Sequence, residues 1–344
     1  MAAARKRPVR VIGLDVGGAN TKAAVVHDDE RVEIVSEPFE VWREPDALAD
    51  VIADVVGRLG GGHAQVAMTT TAELVDVFAT KQEGVLYVLE AARQALSGRR
   101  LQIMTTEGVL IDLTEAIAAP LRCAAANWMA TAMLIARSLP DVILLDCGGT
   151  TTDVIPIVAG EVAAMGRTDV ERLLVGELVY TGALRTNIAA VLSHVPVGGQ
   201  PCPVSSELFA ISADAHLLRG SLTRDQCTCS FPDGRGTSLR EVRSRLARVV
   251  CADPEQLADG DLEAIAAAVE EAQIASITVA LARVAARLPS PAPVAVVGVG
   301  AFLARVAAER CGLPVNQDVS LPWPLGGSGT EVAPAVALSV LGRE

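Results

Sequence analysis

Two short stretches of this chain share one layout: an apolar run closed by an acid, a glycine pair, small polar residues, then a second apolar run. The later stretch is Leu145-Asp146-Cys147-Gly148-Gly149-Thr150-Thr151-Thr152-Asp153, set between Val142-Ile143-Leu144 and Val154-Ile155-Pro156-Ile157-Val158. The earlier is Leu14-Asp15-Val16-Gly17-Gly18-Ala19-Asn20-Thr21-Lys22, between Val9-Arg10-Val11-Ile12 and Ala23-Ala24-Val25-Val26. Aligning Asp15 with Asp146 matches the leucine, the acid, both glycines and the last Thr without a gap. Each stretch reads as strand, tight turn, strand. A glycine pair at a hairpin tip is commonly a matter of backbone conformation alone, because primed turns need positive φ. Here an acid stands at the strand end, where a carboxylate can hold a Mg²⁺ that carries phosphate. Asn20-Thr21 and Thr150-Thr151-Thr152 add hydroxyl and amide groups that can donate to phosphate oxygens.

The rest of the chain places these turns in a repeated α/β pattern. Residues 9–35 read as three strands, followed by a helix over about 45–59 whose apolar residues recur three and four apart and which Gly60-Gly61-Gly62 ends. Gln65-Val66-Ala67-Met68 reads as a buried strand, residues 84–97 as a helix, Leu101–Met104 as a strand and residues 121–138 as a helix. The second hairpin begins at Val142 and has its third strand at 161–165, so the second half opens as the first does. A first domain over 1–139 and a second over 140–344 follow, the second with an insertion at about 166–260. Within the insertion, a helix is expected at about 182–192 and a basic helix at about 238–250. In the basic helix Arg240, Arg243, Arg245 and Arg248 form either a solvated face or a site for an anionic tail. An Ala-rich helix at 261–288 leads to a strand at 293–297 and a third glycine turn, Gly298-Val299-Gly300-Ala301, which opens a helix over 302–310. A last apolar helix, 332–341, lies behind Gly326-Gly327-Ser328-Gly329.

Charge and cysteine usage narrow the partners. A net charge of −12 argues against nucleic acid or an anionic membrane, while leaving small anions open, because backbone N–H groups bind phosphate whatever the net charge. No uninterrupted apolar run reaches the ~18 residues of a membrane span. Residues 1–8 read as a short basic tail without the apolar segment or cleavage site of a signal peptide. Seven cysteines, odd in number and irregularly spaced, fit a reducing cytoplasm. Cys227-x-Cys229 with Cys202, His194 and His216 is the one candidate metal cluster, although a one-residue gap is not zinc-ribbon spacing.

The three glycine motifs, Gly13-x-Asp15-x-Gly17-Gly18, Asp146-x-Gly148-Gly149-Thr150 and Val297-Gly298-x-Gly300-Ala301, resemble the phosphate-1, phosphate-2 and adenosine motifs of the actin/Hsp70/sugar-kinase superfamily. That resemblance implies an α/β fold of two duplicated ribonuclease-H-like (actin-like ATPase) domains, each a mixed sheet flanked by helices, around a central cleft. Asp146 to Asp153 is similar to the hydantoinase/oxoprolinase branch, which favours Gly-Gly-Thr-Thr-x-Asp. A narrower set of features is Thr70-Thr71-Ala72-Glu73-Leu74, Phe78-x-Thr80-Lys81-x-Glu83-Gly84-Val85, Asn127-Trp128, Ser212-Ala213-Asp214 and Asp233-Gly234-Arg235-Gly236. These resemble the tetrahydromethanopterin-linked one-carbon-pathway and methanofuran-biosynthesis synthase family, with Thr71-Ala72 where that family is expected to carry Thr-Gly.

The narrower resemblance implies a transferase that joins a furfuryl diphosphate to the phenol of a glutamyl-tyramine or tyrosine-type acceptor and releases diphosphate. Under it, Asp15 and Asp146 hold Mg²⁺ directly or through water. Gly17, Gly18, Asn20, Thr21, Gly148, Gly149, Thr150, Thr151 and Thr152 cradle phosphate, and Gly298, Gly300 and Ala301 pack on the organic group. Lys22 pairs with phosphate. Glu73 or Lys81 assists the phenol, whose ordinary pKa is about 10, and Asp153 binds a metal-bound water. Two other readings stand beside this one: ATP-dependent phosphoryl transfer or amide hydrolysis, and a non-catalytic nucleotide-binding regulator. A homodimer is open under any of them.

Overall fold

The computed structural model describes residues 10–60, 64–316 and 333–343. The turn at Gly326–Gly329 expected from the sequence lies outside these residues. The first sheet is built from β1 (Val11–Gly17), β2 (Asn20–Val26), β3 (Val32–Pro38), β4 (Gln65–Thr71), β5 (Leu101–Met104) and β6 (Leu110–Asp112), in the order β3-β2-β1-β4-β5-β6. Its helices are α1 (Leu48–Arg58), α2 (Lys81–Ala95), α3 (Leu113–Ala118) and α4 (Asn127–Ala136). The second sheet contains β7 (Val142–Cys147), β8 (Thr152–Val158), the short β9 (Glu161–Val162) and, after α5 (Asp169–Val175), β10 (Leu178–Val179). Then come α6 (Ile188–Val191), a separate hairpin of β11 (His194–Val197) and β12 (Gln200–Pro203), α7 (Ser212–Arg219), α8 (Leu239–Arg248) and α9 (Asp259–Ala285). The strand β13 (Val294–Val297) completes the second sheet, and α10 (Ala301–Arg310) and α11 (Ala333–Leu341) follow.

The duplication is exact in pairing register. β1 and β2 are antiparallel with Asp15 opposite Lys22, and β7 and β8 are antiparallel with Asp146 opposite Asp153. β4 runs parallel to β1, and β13 runs parallel to β7 with Val297 beside Asp146. Strand alternation then sorts the side chains. Ile12, Leu14 and Val16 join the core beneath α1 and α2, while Ile143, Leu145 and Cys147 join the core beneath α9 and α10. Val11 and Leu144 face a shared middle core filled by α4 and α11. The layers therefore run helices, sheet, helices, sheet, helices, and the inner helix pair joins the two lobes.

Several elements depart from the sequence reading. Helix α11, expected in the second domain, packs on β1, β2 and β4 of the first sheet. The helix expected at 121–138 starts at Asn127, because Pro120–Cys123 forms a 3-10 turn and Ala125 sits at φ +50. The helix expected at 182–192 shrinks to Ile188–Val191. Thr186 donates its hydroxyl to the Gly182 carbonyl, and Asn187 caps the short helix. β6 and α3 are too short to leave a periodic signal. The extra block begins after β10, since β10 still pairs with β8, and α6 to α8 with the first half of α9 have a core of their own. Among the described residues, α9 is the one helix long and apolar enough to cross a membrane by length and composition. It packs against α7, α8, α10 and β8, and its Leu262, Ile265, Val269, Ile277, Leu281 and Val284 are buried in two cores.

Gly13 is required by this docking. A Cβ at Gly13 would lie 1.8 Å from the Ala335 carbonyl oxygen and 2.6 Å from the Ser339 amide nitrogen, both backbone of α11. Ser339 fastens the same contact by donating to the Val11 carbonyl at 2.8 Å and accepting from the Val26 amide at 2.9 Å. Gly13→Ala is therefore expected to cost about 3 kcal/mol or more, the upper end for overpacking, because the obstacle is backbone. Urea unfolding checks this; an unchanged midpoint would contradict the docking described.

Candidate active site

Both acid-glycine hairpins open into one cleft of about 720 Å³ between the lobes. Asp15, Gly17, Gly18, Asn20 and Lys22 line it from the first lobe, and Asp146, Gly148, Gly149, Thr150, Thr151 and Asp153 from the second. Glu73 and Gly298 of the expected residues line it as well. A smaller cavity of about 530 Å³ lies at Arg100, Met133 and Leu341, lined by none of these residues and by no carboxylate.

Strand register decides which neighbours reach the cleft. Asn20 and Lys22 line it, whereas Thr21 between them is fully buried. Thr152 is buried too, its hydroxyl donating to the Thr181 carbonyl at 2.8 Å. The expected phosphate contacts of Thr21 and Thr152 are thus corrected: both serve the core. Gly300 and Ala301 also stand back from the cleft. Gly300 donates its amide to the Cys147 carbonyl at 2.8 Å, and Ala301 begins α10. Gly298 does reach it, at φ +90, where a Cβ would fall 2.2 Å from the Cys147 carbonyl and 2.7 Å from Asp146 Oδ1. Only glycine fits beside that carboxylate.

The acids are perturbed by their setting. Asp15 is buried, its Oδ1 has no hydrogen-bond partner among the described residues, and burial raises its pKa against the pull of Lys22. Burial pushes Asp146 up to about 7, with the Asp153 charge adding to it and Lys22 opposing. Lys22 thus lies close enough to act on both hairpin acids. Two facing carboxylates, one with an orphaned oxygen, fit a shared Mg²⁺, which binds through one or two carboxylates and takes its remaining ligands from water and phosphate. Asp153 is otherwise engaged than expected: its Oδ1 accepts from Arg172 at 2.6 Å, and Arg172 is itself buried and stacked 4.2 Å over Trp128.

Glu73 stands just beyond β4 on the cleft wall, 2 % exposed, with Oε2 unpartnered among the described residues. Burial pushes its carboxyl up to about 7, against backbone hydrogen bonds and the Lys81 charge. Lys81 sits behind the wall, not in it. Its Nζ is 3.8 Å from Glu73 and 2.5 Å from Asp169 of the second lobe. Gly84 allows that approach, since a Cβ there would fall 2.5 Å from the Glu73 carbonyl oxygen.

Sequence reasoning missed the wall opposite. Trp42 and Arg185 line the cleft mouth, with the guanidinium 5.0 Å over the indole ring. Arg245, read as part of a solvated face or of a site for an anionic tail, is fully buried and serves neither. It binds Asp214 at 2.8 Å, Asp233 at 3.1 Å and the Gly236 carbonyl at 3.0 Å, and stacks 4.2 Å over Phe231. Ser212-Ala213-Asp214 and Asp233–Gly236 therefore meet at one arginine and fix the Phe231 loop on the cleft. The candidate metal cluster does not assemble. His194 and Cys202 lie on the β11–β12 hairpin, buried His216 pairs with Gln273 at 2.8 Å, and burial raises the Cys227 and Cys229 thiols to about 12 and about 11. Among the described residues no group of three metal-binding side chains is found.

Two like sheets sharing a helical middle layer, with acid-glycine hairpins facing across a cleft, define the actin/Hsp70/sugar-kinase fold class. A solved acetone carboxylase, the nucleotide-free structure from work on ATP-dependent acetone carboxylation, superposes with a TM-score of 0.58 at 13% identity, over 90% of this chain and 68% of that one, a likeness of fold. The chain belongs to the hydantoinase/oxoprolinase family, whose sequence profile matches residues 64–341. It is 36% identical over 255 residues (74% of this chain, 75% of the other) to the (4-{4-[2-(gamma-L-glutamylamino)ethyl]phenoxymethyl}furan-2-yl)methanamine synthase of Methanocaldococcus jannaschii. It is 41% identical over 115 residues (33% of this chain, 51% of the other) to the protein of the same name from Methanococcus vannielii. Both relatives are named as synthases, and the chain belongs to the enzyme family that they represent.

The Glu73 environment has a thermodynamic signature. A carboxyl whose pKa is about 7 folded and 4.5 unfolded binds more protons in the folded state between those values, so its contribution to stability falls as pH rises from about 4.5 to about 7. Glu73→Gln is expected to be more stable than the parent at pH 8 by up to about 3 kcal/mol, the gap closing towards pH 4. Thermal and urea unfolding across that range check it; a gap independent of pH would contradict the burial of this acid.

Proposed function

We propose that the protein joins a furfuryl diphosphate to the phenol of a glutamyl-tyramine or tyrosine-type acceptor, releasing diphosphate. The observation that carries this reading is the pairing, in one cleft, of two acid-glycine hairpins suited to a polyphosphate with a buried carboxylate, Glu73, poised near neutral pH. The relatives' names describe a phenoxymethyl group on a furan, an aryl ether. Displacement at the furylmethyl carbon by a phenol oxygen makes such a bond.

Each group then has one task. Glu73 takes the phenol proton through Oε2, its unpartnered oxygen; a base near pKa 7 is half-deprotonated at neutral pH and stronger than an ordinary carboxylate. The phenol oxygen forms the new bond to carbon, and the carbon–oxygen bond to diphosphate breaks, its electron pair leaving with the diphosphate. Backbone N–H groups at Gly17, Gly18 and Gly149, with Asn20, Thr150 and Thr151, hold the phosphate oxygens, while the Gly148 amide closes the hairpin by donating to the Thr151 carbonyl at 2.9 Å. Lys22 supplies positive charge beside both hairpins. Asp15 and Asp146 would hold a Mg²⁺, which when bound supplies further charge to the departing group. Lys81 positions Glu73 while tied to Asp169 across the lobes. Asp153 and Arg172 neutralise one another behind the second hairpin.

Incubation with furfuryl diphosphate and glutamylated phenols is expected to give the ether and inorganic diphosphate by mass spectrometry, without ATP consumption. ATP turnover with no ether would replace this reading with ATP-dependent chemistry. Asp15→Asn and Asp146→Asn are expected to abolish most turnover; wild-type consumption of the diphosphate by either would overturn the scheme. The rate is expected to rise with pH through about 7, and Glu73→Gln to lower kcat by about 10²–10⁴-fold and flatten that rise.

A further inference from the structure

Trp42 and Arg185 come from different lobes, yet each is fastened to a hairpin tip. The Arg185 amide donates to the Gly149 carbonyl at 2.9 Å, and Val41, next to Trp42, donates to the Gly18 carbonyl at 3.0 Å. The stack between them therefore spans the two phosphate hairpins at the cleft mouth. An arginine resting on a half-buried tryptophan is ordinary on protein surfaces. What sets Arg185 apart is its charge balance. The other cleft guanidiniums are committed, Arg43 to Glu40 at 2.5 Å and Arg172 to Asp153 at 2.6 Å. Arg185 is exposed, and among the described residues its guanidinium contacts the Trp42 ring and pairs with no carboxylate. Stacking occupies only the face of a guanidinium. Its in-plane N–H donors stay available, in the fork that matches a phosphate bidentately.

We propose that Arg185 is a phosphate clamp at the cleft mouth: it binds the distal phosphate of a diphosphate seated between the hairpins, with Trp42 holding the guanidinium plane in position. This rests on the diphosphate-binding half of the proposed reaction. It adds, at the mouth, a second positive charge to that of Lys22 on a floor otherwise dominated by Asp15, Asp146 and Glu73. The clamp joins both lobes through the ligand, so it acts on a diphosphate and not on a single phosphate held at the floor.

Calorimetric titration of the full chain, in Mg²⁺, with inorganic diphosphate and with inorganic phosphate tests this. Arg185→Gln is expected to weaken diphosphate binding by about tenfold or more, the usual loss for a hydrogen bond to a charged group, and to leave phosphate binding unchanged. Arg185→Lys is expected to recover only part, since an ammonium cannot form the planar fork, and Trp42→Leu to weaken diphosphate severalfold. Melting curves of each variant keep a folding defect from being read as lost binding. Wild-type diphosphate affinity in Arg185→Gln, an equal loss for both anions, or no diphosphate binding by the parent would overturn the clamp. Binding that depends on Arg185 without ether formation would remove the reaction and leave the clamp; ether formation with unchanged affinity in Arg185→Gln would do the reverse.

Discussion

Two carboxylates brought out of water towards one another set the terms for the rest of this cleft. Burying an unpaired carboxylate costs several kcal/mol, and the cost is met by neutralisation or by a partner. The fold applies both. Asp146 is pushed towards neutral pH, and Lys22 lies close to both acids. The equivalent hairpin position carries opposite charges in the two lobes, Lys22 opposite Asp15 and Asp153 opposite Asp146. A duplicated hairpin has thereby become asymmetric: the second copy adds an acid and must bring in buried Arg172 to hold it.

That asymmetry propagates outward. Arg172 rests on Trp128 at the first turn of α4, and α4 packs with α11 in the core between the two sheets. The floor chemistry and the joint between the lobes are in this way one packed unit. Further out, Lys81–Asp169 and Trp42–Arg185 cross between the lobes on two sides of the cleft. Each crossing places a residue that lines the cleft beside a group from the other lobe.

The second hairpin has its own support. Gln273 donates to Thr181 Oγ1 at 2.7 Å and to the Gly182 carbonyl at 2.8 Å, while His216 pairs with Gln273 and lies 3.4 Å from Glu270. The segment so braced supplies Ala183, Leu184 and Arg185, whose amides bind the Gly148 and Gly149 carbonyls. Buried hydrogen bonds in series such as these hold a segment rigid. They fix the glycine tip and, through the same segment, the place of Arg185 at the cleft mouth.

The hairpins, their repetition and most strands and helices were legible in the sequence, because hydrophobic period and glycine turns are local signals. The Glu73, Lys81 and Gly84 cluster was legible as a motif, but not its meaning. Whether Glu73 is an exposed acid or a base near pKa 7 depends on burial in the fold and on distant groups, the Asp169 charge raising its pKa and a hydrogen bond from the Ala125 backbone lowering it. Likewise the arginines of α8 gave a helical period and nothing more, and only packing turned Arg245 inward to Asp214 and Asp233. Thr21 and Thr152 show the converse limit: composition placed them in the phosphate turn, and strand alternation put them in the core. The sequence alone determined where the chain turns and which acids stand at the turns, since these follow from neighbouring residues. The tertiary structure alone decided which charges are paired, buried or left facing the cleft, since those depend on residues far apart in the chain.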